Sequence, residues 1–178
     1  MACDITSGRL EPCKNSLGGS KNAFFINFTP NAFTVVDGEV TAIDAGVTDA
    51  FQYALRADEN TLEQAIVSDK NTGVTLVTQT TNLALKKLDK DSNNEVKLMA
   101  QGRPYIIIQD RNDNYHLVGV TEGNDVTGGS ALTGGAKADF NGYNLTFTAE
   151  EDCLAPILDS ATVTALLALV SATNIDPS

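Results

Sequence analysis

The sequence predicts an α+β fold: a mainly antiparallel β-sandwich or barrel with a long hairpin, one packed helix and a C-terminal helix. Three observations lead there. Short β-branched and aromatic runs recur between Gly, Asp and Asn turn signals in the first half of the chain. Residues 61–88 form a long Thr-rich run broken once by Lys70-Asn71-Thr72-Gly73. Only two segments carry helix start and stop signals. With 178 residues, 42% of them hydrophobic, the chain can supply a core. A chain of this size buries about 70% of its unfolded surface.

Residues 1–22 are polar and Gly-rich, and we expect an N-terminal arm there, held by neighbouring subunits, with residues 23–178 forming a single β domain. Ala23–Phe28 is a strand closed by Thr29 and Pro30. Phe33–Val36 and Glu39–Ile43 flank Asp37-Gly38, a hairpin signal because both turn residues need positive φ. Phe51, Tyr53 and Leu55 alternate with Gln52, Ala54 and Arg56, the period of a half-buried strand.

In the long run, one parity carries Val77, Thr81, Leu83 and Leu85, and the other Val74, Leu76, Thr78, Thr80 and Asn82. This reads as a hairpin whose distal half is strongly apolar on neither face. Such an exposed edge invites pairing, so it is expected to find a partner in another subunit.

Ser92 and Glu95 form a capping box for a helix with the stripe Val96, Met99, Ala100 and with Gly102 as its stop. PYIIIQ and YHLVGV are strands around the turn Asp110–Asn114. Residues 121–142 read as a Gly-rich connection. Gly142 opens a last strand with Tyr143, Leu145 and Phe147 on one face, ended by Glu150-Glu151-Asp152 as a solvated edge. Asp159 or Ser160 caps a helix over Ala161–Ser171 with Leu166, Leu167 and Val170 as its apolar side.

The charge balance is 12 Lys+Arg against 23 Asp+Glu, net −11. That argues against gripping duplex DNA or docking on anionic lipid. One His and three Cys leave few nucleophile–base pairs for a hydrolase. The opening lacks the basic start and apolar stretch of a secretory signal, so synthesis in a cytoplasm is expected. The apolar stretch Ala165–Val170 is far shorter than the ~20 residues of a membrane span.

Cys3, Cys13 and Cys153 are odd in number and read as free thiols, with a Cys13–Cys153 bridge as the alternative. Asp110-x-Asn112-x-Asn114 begins like a calcium loop, but Tyr115 and Thr121 stand where Gly and Glu are needed. Asp89-x-Asp91-x-Asn93 fails likewise, with Ala100 at its twelfth position. Gly129 to Gly134 has phosphate-loop spacing without the Lys, and reads as a flexible loop. His116 lies mid-strand and reads as structural or exposed. The sequons at Asn27 and Asn144 carry no chemistry without secretion. We expect no catalytic residue, cofactor or metal. Lys86, Lys87, Lys90, Lys97, Arg103 and Arg111 concentrate basic charge, as a solvated helix face or as a patch complementary to an acidic neighbour.

The opening ACDITSGRLEPCKNSLGGSKNAFFINF resembles the N-termini of small virion proteins of tailed bacteriophages. The block LALKKLDKDSNNEVKLMAQGRPYIIIQDRNDNYHLVGVTEGNDVTGG and the following DFNGYNLTFTAEE have the same texture. Their strand–helix–strand order after a long hairpin resembles the tail tube fold, also found in secretion-system tubes.

The resemblance implies a non-enzymatic virion protein, made in the bacterial host cytoplasm and located in the tail. It forms hexameric rings stacked into a hollow cylinder. Each subunit lends strands to a shared inner barrel, while hairpins, loops and termini bridge to the next ring. Its partners are copies of itself, other tail or capsid proteins, and genome DNA that passes without specific binding. An acidic lumen suits that passage, because like charge repels phosphate. A capsid decoration protein, a head–tail connector or a tail terminator is the other reading. A small enzyme or ligand-binding barrel is a third, for which the sequence offers no site.

Overall fold

A computed structural model describes residues 5, 7–56 and 58–171. Cys3 lies outside the described residues. Two sheets pack face to face, and among the described residues neither closes into a barrel. The larger sheet has seven strands and the smaller four.

The larger sheet is built on β1 (Ser20–Ile26) and β7 (Tyr105–Asp110), which pair antiparallel with Phe25 opposite Ile106. β4 (Phe51–Ala54) adds to the outer side of β1 and ends the sheet. Beyond β7 follow β8 (Tyr115–Val118), β11 (Ile157–Leu158), β3 (Glu39–Ile43) and β2 (Phe33–Val36). All these pairs are antiparallel except β11 with β3.

Both faces of β1 and β7 are covered, which explains why AFFI and YIII are continuous apolar runs rather than alternating ones. Phe25, Ile106 and Ile108 face the small sheet. Phe24, Ile26 and Ile107 face the opposite way, toward α2 (Ser160–Leu169) and its buried Leu166. Each such fully buried side chain contributes roughly 1.5–3 kcal/mol. Asp37 and Gly38 have φ of 52° and 81°, as the Asp-Gly hairpin requires.

The smaller sheet runs β5 (Thr61–Asp69), β6 (Val74–Lys86), β10 (Gly142–Glu151) and β9 (Asp125–Leu132). Every neighbouring pair is antiparallel. The long hairpin is present as expected, and α1 (Lys90–Gln101) crosses from the end of β6 to the start of β7.

Several expectations are corrected. β1 starts at Ser20, so the strand reaches three residues into the segment expected as an arm. β9 occupies the Gly-rich stretch read as a connection and includes Gly129, the start of the expected flexible loop. There the strand bulges, and a Cβ on Gly129 would lie 2.8 Å from the Asn144 carbonyl oxygen, so glycine serves close backbone approach.

α1 begins one turn before the expected capping box. Asp89 is the N-cap, its Oδ1 accepting from the amides of Asp91 at 2.8 Å and Ser92 at 2.9 Å. Ser92 sits inside the first turn, its hydroxyl donating to Asp89 Oδ2. Met99 is buried, but Ala100 of the expected stripe is exposed. Asp159 caps α2 as expected. Leu167 turns to solvent, and Val170 leaves the helix to bridge Ala50.

The acidic run does not end β10 as a solvated edge, because the strand continues through Glu151, which is 4% exposed. Its carboxylate accepts from the amide of Thr121 at 2.8 Å and from its hydroxyl at 2.6 Å. Those two bonds offset the cost of burying a charge.

Candidate assembly interface

The outer face of the small sheet follows from its register. Tyr143, Leu145, Phe147 and Ala149 of β10 turn inward with Leu83 of β6. The alternate positions therefore turn outward. One row across all four strands reads Glu63, Thr80, Thr148, Asp125. The next reads Thr61, Asn82, Thr146, Gly128, with Thr146 Oγ1 donating to Asn82 Oδ1 at 2.9 Å. A third places Ala65, Thr78 and Glu150 side by side. The wall is hydroxyl- and amide-rich, and its charges are Glu63, Asp69, Asp125 and Glu150 against Lys86.

Both margins of this sheet are open. Among the described residues, β5 pairs only with β6, and β9 only with β10. Leu62 and Gln64 of β5 and Val126 of β9 are half-buried, and the other residues of both strands are exposed. Unpaired strand edges of this kind are usually protected or used.

The hairpin tip projects further. β10 reaches β6 only as far as Val77, so Val74–Leu76 pair with β5 alone. Ile66, Val67 and Val74 are 60%, 59% and 55% exposed. Val67 lies opposite Leu76 on one face of the tip. Asp69 sets the turn, its Oδ1 accepting from the Asn71 amide at 2.8 Å and its carbonyl from the Gly73 amide at 2.9 Å. The N-terminal segment is as unburied: residues 7–19 are exposed, and Ile5 and Leu10 are 95% and 92% exposed.

At the other end of β6 lies a groove of about 890 Å³ between α1, the β4 edge and the end of β6. Phe25, Phe28, Phe51, Tyr53, Leu98 and Met99 form its apolar lining, and Arg56, Lys86 and Arg103 bring positive charge to it. The Arg103 guanidinium lies 4.0 Å over the Phe28 ring, which itself stacks on Tyr105. Burial, and then the neighbouring Glu95, push the Tyr53 phenol up to about 12, so it stays neutral. Sequence reasoning missed this groove because its walls come from residues near 52, 85 and 100. Its one local signal was Leu98, off the expected stripe on α1.

The other sequence candidates separate. Asp110 Oδ1 accepts from the amides of Asn112 and Asn114 at 2.8 Å each, closing an Asx-type turn. Burial raises this carboxyl, but the bonds from Asn114 and Asn112 outweigh it and hold it below the usual range. His116 Nε2 lies 3.6 Å from Asp110 Oδ2 and is half-buried. Cys13 and Cys153 are free and exposed. Asn144 stands on the outer wall opposite Ser130, and Asn27 lines the groove.

The basic residues fall on several elements, with Lys87 directly after β6. Lys86 and Arg103 line the groove, Lys90 and Lys97 lie on α1, and Arg111 pairs with Asp58 at 3.3 Å in the turn beside the arm. Among the described residues, no three His, Cys, Asp or Glu side chains are placed to hold a metal, and no helix is long and apolar enough to cross a membrane. No family model, no curated protein and no solved structure matches this chain.

Proposed function

We propose that this chain is a non-enzymatic virion structural protein that self-assembles into rings stacked as a phage tail tube. The observation that carries the reading is the four-stranded sheet with both margins open. Its strands alternate in direction, so β5 and β9 run oppositely. Rotation about an axis along the strands sets β9 of one copy antiparallel to β5 of the next. The same contact repeats round a closed ring, a heterologous interface. The number six comes from the resemblance to tail tube proteins, which implies hexamers.

The wall described above supplies the second support. Directed into a lumen, Glu63, Asp125 and Glu150 repel phosphate, and the hydroxyls and amides around them stay hydrated. DNA then passes without the Lys and Arg contacts that hold it.

Negative-stain images of the purified full chain at high concentration test the proposal. Six-fold rings or tubes support it. A monomer still dispersed at millimolar loading overturns it, and binding confined to a capsid or portal lattice favours a decoration, connector or terminator role.

A further inference from the structure

β4 is the last strand of the larger sheet, and its outer side is already paired just before its first residue. The Ala50 amide donates to the Leu169 carbonyl and the Ser171 amide to the Ala50 carbonyl, each at 2.9 Å, so Val170 lies parallel to Ala50. This is the opening step of a parallel ladder. The chain has just left α2 at that point, and residues 172–178 follow, outside the described residues.

The edge ahead of that step has no strand on it among the described residues. The Leu55 amide donates to the Lys21 carbonyl at 3.0 Å, so Phe51, Tyr53 and Leu55 turn their backbone groups toward β1. Those of Gln52 and Ala54 point the other way, in line with Ala50. The groove beside α1 runs along this same edge, with Phe51 to Ala54 on one wall and Leu98 and Met99 on another.

We propose that residues 172–178 continue the ladder along β4 of their own chain and occupy the groove. The contact lies within one subunit and goes beyond the tube reading, on which it does not depend.

The register selects this occupant. Carried forward from Val170 and Ala50, it sets Ile175 opposite Leu55 and Asp176 opposite Arg56. Partners across a ladder share a face of the sheet. Ile175 therefore stands on the face that Tyr53 and Leu55 turn to the core, which is the side of the groove. Asp176 brings a carboxylate to a lining that holds Arg56, Lys86 and Arg103 against Glu95. The amides of Gln52 and Ala54 donate to the carbonyls of Ser171 and Thr173, and the amides of Thr173 and Ile175 donate back to Gln52 and Ala54. Pro177 has no amide to offer the Arg56 carbonyl, so the ladder stops there.

Such a strand closes a margin that would otherwise accept foreign chains. The larger sheet is then capped at β4, and the open margins left for pairing between copies include both edges of the small sheet.

Hydrogen exchange of the full-length chain, read amide by amide, tests the contact. Gln52 and Ala54 are expected to be protected, to a degree independent of protein concentration. Ile175→Asp should speed exchange at both amides about tenfold or more and leave Phe51 and Tyr53, bonded to β1, unchanged. Asp176→Arg and Arg56→Asp should each speed it, and the two together should restore protection. Exchange of Gln52 and Ala54 at the open-chain rate in the wild type overturns the proposal, as does protection that survives Ile175→Asp. Protection that rises with concentration assigns the edge to a second copy and overturns it too. Protected, concentration-independent amides in a protein that forms neither rings nor tubes leave this contact standing and overturn the tube reading.

Discussion

Glu151 and Thr121 hold each other across two chain segments. The Glu151 carboxylate takes both the amide and the hydroxyl of Thr121, at 2.8 and 2.6 Å, tying the end of β10 to the turn after β8. Glu151→Ala removes both charged acceptors from the amide and hydroxyl of the exposed Thr121 and should cost about 1.5–3 kcal/mol. Glu151→Gln keeps one acceptor oxygen and should cost less. The two midpoints in urea decide this; equal, negligible losses would mean that the pair contributes nothing.

The start of α1 predicts a pH dependence. Hydrogen bonds from the side chain and amide of Ser92 hold the Asp89 carboxyl below its ordinary range. A group depressed on folding stabilises above its unfolded pKa, near 3.9, and loses that contribution as pH falls through the folded value. Asp89→Ala should therefore lower the melting temperature at pH 7. The gap to wild type should narrow below about pH 4, as both forms lose the charged cap. A gap that stays constant with pH would show the cap to be uncharged in effect.

Gly119 follows β8 at a φ of 75°, and a Cβ there would come within 2.6 Å of both the Asn124 side-chain nitrogen and the Gly123 carbonyl oxygen. Asn124 is fully buried and donates to the carbonyls of Val118 and Pro104 at 2.8 and 3.1 Å. Gly119→Ala combines left-handed strain with a clash against fixed groups and should cost about 2 kcal/mol or more. Thermal unfolding measures it, with Gly38→Ala as the comparison, since a Cβ at Gly38 meets nothing within 4 Å.

Under the proposed tail-tube function, the acidic wall predicts a transport phenotype. Replacing Glu63, Asp125 and Glu150 together by Lys turns one sheet face from repelling phosphate to binding it. Virions carrying the triple variant should eject DNA slowly or not at all, and added salt should partly restore the rate. Unchanged infectivity would remove electrostatic lubrication as the reason for the acidity.

What the sequence disclosed depended on how local each signal was. Asp37-Gly38 needed only two φ angles, and its hairpin formed where expected. The apolar runs of β1 and β7 identified central strands because burial on both faces leaves no alternation to read. β9 was hidden for the opposite reason: Gly128 and Gly129 have no strand preference of their own and are held by β10 alone.

Asp89 and Ser92 both suit a helix cap, and only the backbone decides which one starts the turn. Glu151 looked like its neighbours Glu150 and Asp152 until Thr121, thirty residues away, came to meet it. The parity of β6 could not name the outward wall, since Thr appears on both faces of that strand. Pairing with β10 settled it. The groove drew on three separated segments and left no local pattern.

The pairing of Ile26 with Tyr105 has a consequence for synthesis. The ribosome must add about 80 residues after β1 emerges before its central partner exists, which at 5–20 residues per second takes roughly 4–16 s. Through that interval AFFI is a naked, sticky peptide in a crowded cell. Nascent copies held close together on one messenger could pair wrongly with each other, so a chaperone that shields the first thirty residues should raise the yield of native protein.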